Sequence, residues 1–295
     1  MQTLTQIRAL LDSHGLSPRK ALGQNFLIDH NLIRRLLDAS GLQPGDLVLE
    51  IGPGTGTLTE GLLERGARVV ACELDRGLAA LLRAELLPRA ASFHPQASLT
   101  LVEGDCLAGK SRLAEPLRAA LGDGPFRLVA NLPYGAATGV ILALLLDHPR
   151  CGSMHVTIQR EVADRLLAPP GTSERGPLGI VAQALARADR IADLPAECFW
   201  PRPEVASTMV SIVRAPASAL PPTLPARALA DFCQAMFASR RKQLGSVLGR
   251  DFPWPAGVRP EQRIEELPTP AVVALSEANL GRAPRGAEKD HPRRP

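Results

Sequence analysis

Short apolar runs alternate with amphipathic segments through the first two thirds of the chain. Each run has the length of a buried strand, and the segment after it has helical periodicity. The runs are 47-LVLEI-51, 67-ARVVACE-73, 99-LTLVE-103, 126-FRLVA-130 and 153-SMHVTIQ-159. Nearly continuous apolar strands separated by helices are typical of a parallel sheet that is covered on both faces. The pattern therefore predicts an α/β domain with a mostly parallel sheet.

Helical periodicity is clearest in 74-LDRGLAALLRAELL-87 and 160-REVADRLL-167, and residues 1–20 form a shorter amphipathic pattern. The run 205-VASTMVSIV-213 differs from the other strands, because it alternates more regularly and follows a long connection. Alternation is typical of antiparallel strands. We expect this strand to be antiparallel and to lie at an edge of the sheet.

The last quarter of the chain predicts a separate helical part. The segment 214-RAPASALPPTLPAR-227 contains four prolines and no periodicity, which indicates a linker. Helical patterns follow over 228–249, 260–267 and 270–280. Residues 283–295 contain almost no apolar side chains and are expected to be disordered.

The predicted organisation therefore has four parts within 295 residues. They are an α/β domain over 1–213, a proline-rich linker over 214–227, a small α-helical domain over 228–282 and a tail over 283–295. The longest uninterrupted apolar run, 140-VILALLL-146, has seven residues and is too short to span a bilayer.

A glycine-rich turn follows the first predicted strand. The strand leads directly into 52-GPGTG-56, and a helix is predicted to begin near Thr57. Glycine allows a close approach of the backbone to a ligand, and a helix N-terminus favours electron-rich groups. The spacing is E-x-G-x-G-x-G, formed by Glu50, Gly52, Gly54 and Gly56. It is not the dinucleotide fingerprint, which needs glycine at position 57, and alone it is a weak signal because ordinary tight turns also contain glycine.

Two acidic residues follow the next two strands. Glu73 ends the second strand, 21 positions after Gly52, where a carboxylate accepts both hydroxyl groups of a ribose. Asp105 lies just past the third strand, where an acceptor recognises the exocyclic amine of an adenine, although a helix cap is the more common role of such a residue taken alone. The turn and both carboxylates lie at the carboxyl ends of successive strands, where open α/β sheets bind ligands. Together they favour a nucleoside-bearing cofactor.

The fourth strand ends in 131-NLPY-134, which contains the only tyrosine of the chain. The side-chain oxygen of Asn131 and a main-chain carbonyl near Leu132 are suited to accept the two N–H bonds of an adenine amine, which would orient its lone pair toward a methyl donor. Pro133 helps to hold that carbonyl in place through its fixed φ. Tyr134 would stack on the base, a contact worth ~1–3 kcal/mol. An N-x-P-x turn at a strand end is also common in proteins without this chemistry.

The glycine turn and the two carboxylates resemble the S-adenosylmethionine-dependent methyltransferases. The E-x-G-x-G-x-G spacing is similar to motif I of that superfamily. The resemblance implies a Rossmann-like class I methyltransferase fold with S-adenosyl-L-methionine as cofactor. It also assigns Glu73 to the ribose of the cofactor and Asp105 to its adenine.

A longer series of motifs resembles the ribosomal RNA adenine N6,N6-dimethyltransferases, which dimethylate two adjacent adenosines near the 3′ end of small-subunit rRNA. The motifs are 21-ALGQNFLID-29, 50-EIGPGTGTLTEGLL-63, 73-ELD-75, 131-NLPY-134, 157-TIQREVADRLLA-168, 199-FWPRPEV-205, 237-FASRRKQL-244 and 263-RIEELP-268. They cover nearly the whole chain in order, and their combination is specific to the family.

This resemblance implies further site residues. It places Phe199 on the face of the target base opposite Tyr134. It implies that the cofactor is bound by Asn25, Leu27, Gly52, Gly54, Gly56, Glu73, Asp105 and Asn131. Without the family, Asn25 would be interpreted as a helix cap and Phe199 as part of the core.

Charge is distributed unevenly. From Arg214 onward the chain has 13 basic and 8 acidic residues, a net charge of +5, whereas the first 213 residues have 21 basic and 22 acidic residues, a net charge of −1. A positive C-terminal part suits a polyanionic partner such as RNA. The predicted RNA contacts are Arg19, Lys20, Arg240, Arg241 and Lys242. The alternative for 239-SRRKQ-243 is a solvated face of the helix predicted there.

The chain departs from the family pattern on the target-base side. After NLPY the family has Asn-Ile-Ser-Thr-Pro, whereas this chain has 135-GAATG-139, and Gly135 and Gly139 are expected to loosen the loop. The aspartate of P-x-V-D-S is replaced by Ala206, and Tyr-Gly-Arg-Leu-Ser is replaced by 175-RGPLG-179. The predicted cofactor residues are intact.

Cysteine and histidine patterns exclude two other classes of protein. The five cysteines include no C-x-x-C pair, and the six histidines include no H-x-x-x-H pair, so neither a disulfide framework nor a zinc site is indicated. We expect a monomeric cytoplasmic enzyme that uses no metal.

The sequence thus predicts an rRNA adenine N6,N6-dimethyltransferase acting on small-subunit rRNA within the 30S particle or its precursor. Two alternatives stay open at this point. One is a large-subunit rRNA adenine N6-methyltransferase of the macrolide-resistance type, and the other is a small-subunit assembly factor with little or no catalysis.

Overall fold

The computed structural model describes residues 1–19, 22–215, 220–249 and 251–282. Lys20, four positions of the predicted linker and the predicted tail lie outside the described residues.

Nine strands and twelve α-helices occur within these described ranges. The strands are β1 (Phe26–Leu27), β2 (Leu47–Ile51), β3 (Arg68–Glu73), β4 (Ser98–Glu103), β5 (Phe126–Asn131), β6 (Cys151–Gln159), β7 (Ala186–Leu194), β8 (Phe199–Trp200) and β9 (Ser207–Arg214). The helices are α1 (Leu4–Ser13), α2 (His30–Ala39), α3 (Thr57–Glu64), α4 (Arg76–Glu85), α5 (Ala90–Phe93), α6 (Glu115–Leu121), α7 (Ala137–Asp147), α8 (Arg160–Leu167), α9 (Pro177–Leu185), α10 (Ala226–Phe237), α11 (Leu244–Leu248) and α12 (Thr269–Ala278). In the part of the chain that the structure describes, no helix is long and apolar enough to cross a membrane.

The chain forms two compact units. The first contains Met1–Ala163 and Arg187–Arg214, and the second contains Asp164–Ala186 and Ala215–Pro295. Residues 164–186, which the predicted boundary assigns to the α/β domain, therefore group with the C-terminal helices.

A seven-stranded sheet forms the centre of the first unit, in the order β4-β3-β2-β5-β6-β9-β7. The pairs β3–β4, β2–β3, β2–β5 and β5–β6 are parallel, which confirms the predicted mostly parallel sheet. From β2 the chain proceeds outward to β3 and β4, and then crosses back to β5 on the other side. Ligands bind at such a reversal of strand order, outside the carboxyl ends of the strands.

The last strand is antiparallel, as predicted, but it is not at the edge. β9 pairs with β6 through Gln159↔Ser207 to Ser153↔Val213, and the edge strand is β7. The sequence 186-ARADRIADL-194 of β7 carries four charged side chains and no apolar run. Backbone pairing at an edge does not require apolar side chains, and charges there protect the edge from further pairing. Apolar patterning therefore could not identify β7.

Three helices of the first unit, α1, α2 and α4, begin at short polar side chains that cap them and bury one face. In α4, the Asp75 side chain accepts hydrogen bonds from the backbone N–H of Gly77 at 2.8 Å and of Leu78 at 3.3 Å. The buried face of this helix includes Leu81 and Leu82. Each fully buried leucine contributes about 1.5–3 kcal/mol. The predicted amphipathic pattern at the N-terminus is α1, whose Ile7 and Leu11 are buried.

The second unit has its own core. Helix α9 is apolar nearly all round, and its Ile180 and Ala184 belong to one hydrophobic cluster with Leu229, Phe232 and Val272 of α10 and α12. Because α9 buries its side chains against these helices, the segment before β7 belongs to the C-terminal unit. Periodicity along the chain cannot reveal which neighbour a fully apolar helix selects.

Arg175 is a buried cation inside this second unit, with 1% of its surface exposed. Its guanidinium donates hydrogen bonds to the carbonyl oxygens of Ala168 and Leu267, and to the side-chain oxygens of Gln183 and Thr269. Neutral acceptors from two distant parts of the chain thus surround one charge. Arg175 joins the 164–186 segment to the turn before α12.

Two predicted C-terminal helices are wrong. The pattern over 228–249 is divided into α10 and α11, and residues 239–243 lie between the two helices rather than on one. The backbone N–H groups of Leu244 and Gly245 donate to the carbonyl oxygens of Gln262 and Pro260, both at 2.8 Å. These long-range bonds replace the helical ones.

The pattern over 260–267 forms only a short 3-10 turn at Ile264–Glu266. The predicted helix over 270–280 is confirmed as α12.

Replacement of Arg175 by methionine should destabilise the second unit. The variant R175M keeps most of the volume but removes all four hydrogen bonds of the guanidinium and leaves the Leu267 carbonyl oxygen without this donor. We therefore expect the free energy of unfolding to fall by about 2–4 kcal/mol. Urea unfolding followed by circular dichroism measures this change. The matched control is R187M, which removes an exposed arginine whose only ion pair among the described residues is with the exposed Asp189, and it should change stability by less than about 0.5 kcal/mol. Equal effects of the two variants would contradict the assigned role of Arg175.

Candidate active site

A cleft lies in the first unit, at the carboxyl ends of the central parallel strands. Its walls come from the turn after β2, the ends of β3 and β5, the loop after β4 and the segment before α2. The empty volume, counted to the open mouth, is about 1080 Å³. The predicted residues that line it are Asn25, Leu27, Gly52, Gly54, Glu73, Asp105, Asn131, Leu132, Pro133 and Tyr134. Folding therefore brings ten separately predicted residues to one cleft.

The three glycines of the turn all adopt positive φ, at 69°, 62° and 89° for Gly52, Gly54 and Gly56. A Cβ on Gly52 would lie 2.9 Å from Pro133 Cγ, and a Cβ on Gly54 would lie 2.8 Å from the Phe26 ring. Both glycines therefore allow close packing at the floor and wall of the cleft. Gly56 is not among the lining residues, since it caps α3 and its missing Cβ makes room for Leu86.

Glu73 organises the glycine turn. One carboxylate oxygen accepts the backbone N–H of Gly54 at 3.1 Å, and the other accepts the N–H of Asp75 at 2.9 Å. Burial raises the pKa of Glu73, while these backbone hydrogen bonds act in the opposite direction. Because a carboxylate has about four acceptor positions, two remain for the ribose hydroxyls that the sequence predicted.

Asp105 is exposed at the mouth of the cleft. One of its oxygens accepts the backbone N–H of Leu107 at 2.9 Å, in a turn rather than at a helix start. The helix-cap alternative for Asp105 is therefore wrong, because α6 begins only at Glu115.

Asn131 ends β5 and is held in one orientation. Its Nδ2 donates to the main-chain carbonyl oxygen of Asn25 at 3.0 Å. Its Oδ1 is buried and has no hydrogen-bond partner among the described residues. An unsatisfied buried acceptor costs about 1–3 kcal/mol. An N–H donor from a ligand would therefore be favourable at this oxygen.

Phe199 lies elsewhere. In the short sheet formed by β1 and β8 it pairs with Leu27, and its side chain is 3% exposed within the core. It does not line the cleft, although Leu27, its partner in that pairing, does. The role of Phe199 against the target base stays a prediction.

Two further residues stand out among those lining the cleft that were not predicted as binding residues. Leu74 presents a large apolar side chain that is 52% exposed, directly after the ribose-binding candidate Glu73. Its signal in the sequence was an apolar residue between two acidic ones in 73-ELD-75. Glu50 lines the cleft with a buried Oε2 that has no hydrogen-bond partner in the described chain. Burial raises the pKa of Glu50 to about 8, and the nearby Glu73 acts in the same direction.

The two glycines of the 135–139 segment differ sharply. A Cβ on Gly135 would meet nothing within 4 Å, whereas a Cβ on Gly139 would lie 2.6 Å from the Lys110 carbonyl oxygen and 2.7 Å from Leu107 Cδ1. The expectation that both glycines loosen the loop is therefore wrong for Gly139. It is the position where α7 packs directly against the loop that carries Asp105.

The predicted RNA-binding residues have varied surroundings. Arg19 lies 3.4 Å from Asp75, and Lys20 lies outside the described residues. In the second unit, Arg240 pairs with Glu265 at 3.5 Å, while Arg241 and Lys242 are exposed in the turns between α10 and α11. RNA contact by these residues stays a prediction.

Comparison with known proteins gives one consistent family. The sequence model of the family described as ribosomal RNA adenine dimethylase matches residues 15–272. The chain is 39% identical over 298 residues to Ribosomal RNA small subunit methyltransferase A of Phenylobacterium zucineum, covering 97% of this chain and 99% of the relative. It is 40% identical over 269 residues to the protein of the same name from Caulobacter vibrioides, covering 90% and 98%.

Two solved structures are similar in fold. A dimethyladenosine transferase from Plasmodium falciparum has a TM-score of 0.66 at 21% identity and covers 85% of this chain and 95% of its own. The 23S rRNA methyltransferase ErmE has a TM-score of 0.60 at 23% identity and covers 86% and 99%. Both confirm the predicted class I methyltransferase fold.

Alanine at the two loop glycines should have opposite effects. In G139A the added Cβ forces α7 and the Asp105 loop apart, so we expect a loss of about 1–3 kcal/mol of folding stability and a severalfold weaker affinity for S-adenosylhomocysteine. In the matched control G135A there is room for the methyl group, so stability should rise by about 0.4–1 kcal/mol with unchanged affinity. Urea unfolding and isothermal titration calorimetry measure both quantities. A G139A protein as stable as G135A would refute the packing argument.

Glu50 should make stability depend on pH. Its pKa is raised from 4.5 to about 8, so the folded protein holds a proton that the unfolded chain releases between these values. The contribution of Glu50 therefore favours folding below pH 4.5 and is lost as the pH rises toward 8, by up to ~1.4 kcal/mol per pH unit. The variant E50Q lacks this titration and should gain stability over the wild type as pH increases. Urea unfolding of both proteins at pH 5, 6.5 and 8 tests this, and parallel pH curves would contradict it.

Proposed function

Because the chain belongs to the ribosomal RNA adenine dimethylase family, we propose that it methylates N6 of two adjacent adenosines near the 3′ end of small-subunit (16S) rRNA. The products are N6,N6-dimethyladenosines, formed during ribosome biogenesis. The small-subunit substrate is supported by relatives that carry this name and align with 90% or more of the chain. The alternative of a macrolide-resistance methyltransferase is supported only by the similarity in fold to ErmE, at 23% identity.

The residues of the cleft fit S-adenosylmethionine, the cofactor of this family. When bound, it supplies an activated methyl group on a sulfonium. Glu73 keeps two acceptor positions for the ribose, Asp105 offers a carboxylate to the adenine amine, and the exposed Leu74 provides an apolar contact for the base. The glycine turn lines the cleft with Gly52 and Gly54, whose missing Cβ atoms let Pro133 and Phe26 pack against it.

The unpartnered Oδ1 of Asn131 is the observation that carries the proposal. The adenine amine is a weak nucleophile because its lone pair is delocalised into the ring. An acceptor on each N–H bond orients that lone pair and stabilises the positive charge that develops on nitrogen. Asn131 Oδ1 is buried, held in place through Nδ2, and requires a donor.

The second acceptor for the adenine amine is a main-chain carbonyl oxygen near Leu132. The backbone N–H of Leu132 donates to the carbonyl of Thr157 at 3.1 Å, which continues the register of β5 and holds the Leu132 peptide. Pro133 packs against Gly52 and fixes the following turn. Tyr134 then presents its ring as a stacking face worth ~1–3 kcal/mol for an extruded base. The proton lost from N6 after each transfer passes to solvent at the open mouth.

We further propose that the protein acts as a monomer in the cytoplasm, on rRNA within the 30S particle or its precursor. The net charge of +5 from Arg214 onward supports contact with the RNA backbone. Arg241 and Lys242 are exposed and suited to phosphate groups.

The test is incubation of the protein with unmethylated small subunits and labelled S-adenosylmethionine, followed by digestion of the RNA and mass spectrometry. Dimethyladenosine in the 3′-terminal fragment supports the proposal. Tight binding of the particle without label would indicate an assembly factor instead. Label confined to large-subunit RNA would indicate the resistance type.

Removal of the Asn131 side chain should separate catalysis from binding. In N131A we expect methyl transfer to be abolished, by about 100-fold or more, with cofactor affinity within a few-fold of wild type. The comparison variant is N31A, which removes an exposed asparagine side chain of α2 outside the cleft and should retain the wild-type transfer rate. Single-turnover kinetics and calorimetry measure the two effects. An unimpaired rate in N131A would exclude the orienting role.

A further inference from the structure

The hydroxyl of Tyr134 has a specific partner. It lies 2.8 Å from the Oγ of Ser207, which is completely buried. Tyr134 itself is half-buried and lines the cleft. No other described residue than Ser207 forms a hydrogen bond with this hydroxyl. The hydroxyl of the only tyrosine in the chain is thus hydrogen-bonded to a buried residue of the sheet.

The position of Ser207 is determined by the backbone on both sides. It is the first residue of β9 and pairs with Gln159 at the end of β6. One residue earlier, the carbonyl oxygen of Ala206 accepts the backbone N–H of Arg160 at 2.9 Å. The end of β6, the start of β9 and the start of α8 therefore hold the backbone around Ser207, which fixes the position of its Oγ.

The loop that carries Tyr134 has less support of its own. The next residue is Gly135, whose Cβ position is open, and it stands where the family has a larger polar residue. A tyrosine hydroxyl lies on the axis of its ring, so a hydrogen bond there fixes the direction of the ring from the backbone. In this chain Ser207 supplies that hydrogen bond, and Gly135 offers the ring no side chain to pack against.

We propose that Ser207 is a positioning residue for the target adenine, because it holds the ring of Tyr134 as the stacking face of the site. This proposal rests on the proposed function, since the stacked base is the adenine that receives the methyl group. Ser207 does not touch the reacting atoms. It acts through the tyrosine hydroxyl, so its contribution must disappear when that hydroxyl is absent.

A double-mutant cycle tests this dependence. S207A and Y134F should each lower kcat by about 3- to 10-fold, the usual effect of one lost hydrogen bond. The double variant should be no slower than Y134F, and the affinity for S-adenosylhomocysteine should be unchanged throughout. If S207A slows Y134F by the same factor as it slows the wild type, the proposal is overturned.

The chain offers a matched control at the next position. Thr208 is also completely buried, and its hydroxyl donates to Asp193 at 2.8 Å rather than to Tyr134. T208V removes a buried hydroxyl from the same strand and should leave kcat unchanged. A loss in T208V equal to that in S207A would show that any buried hydroxyl of β9 matters only for stability.

A readout without RNA separates this proposal from the proposed function. Incorporation of 3-fluorotyrosine labels Tyr134 alone, so the ¹⁹F spectrum reports on one ring. In S207A this signal should move and narrow as the ring gains freedom, whereas in T208V it should match the wild type. An unchanged signal in S207A would overturn the proposal even if small subunits are methylated. If they are not methylated, the spectrum still tests the bond. S207C, whose thiol is a poorer hydrogen-bond partner, keeps the label and gives the same test should S207A fail to fold.

Discussion

The site depends on one close approach, between Gly52 at the end of β2 and Pro133 after the end of β5. A Cβ on Gly52 would lie 2.9 Å from Pro133 Cγ, so these two turns can meet only because the first contains glycine. β2 and β5 are adjacent parallel strands, with Leu49 opposite Leu128, and the strand order reverses between them. The parallel register delivers the cofactor turn and the Asn-Leu-Pro-Tyr turn to the same end of the sheet. The close contact then fixes the separation of these two turns at that end of the sheet.

Around this contact the protein keeps polar groups that folding alone would not favour. Asn131 Oδ1 and Glu50 Oε2 are both buried without partners, and each lowers the stability of the folded state. By contrast, Glu73 uses both oxygens to hold the backbone of the glycine turn. The cleft therefore combines a carboxylate whose two oxygens both hold backbone N–H groups with two buried oxygens, of Asn131 and Glu50, that form no hydrogen bond with the described residues.

The positions at which the chain departs from the family pattern have different surroundings in the structure. Gly139 is a site of tight packing against Lys110, and it connects α7 to the loop of Asp105. Gly135 is open, and the tyrosine before it is anchored instead on Ser207. On the target-base side, the chain is thus tightly packed at Gly139 and hydrogen-bonded at Tyr134, whereas Gly135 has open space beside it. The ring of Tyr134 is thus held by a hydrogen bond from the sheet and not by a contact with the residue that follows it.

The sequence by itself determined the parallel strands, the glycine turn, the acidic residues at the strand ends and the Asn-Leu-Pro-Tyr turn. These features depend on local conformation and on burial of continuous apolar runs, and both leave periodic or positional signals in the chain. Only the tertiary structure decided that charged β7 is the edge strand, that 239–243 is a turn and that Phe199 lies in the core. It also decided which glycine is packed and which hydroxyl meets Tyr134. Each of these features depends on contacts between residues that lie far apart in the sequence. Local sequence patterns carry no signal of such contacts.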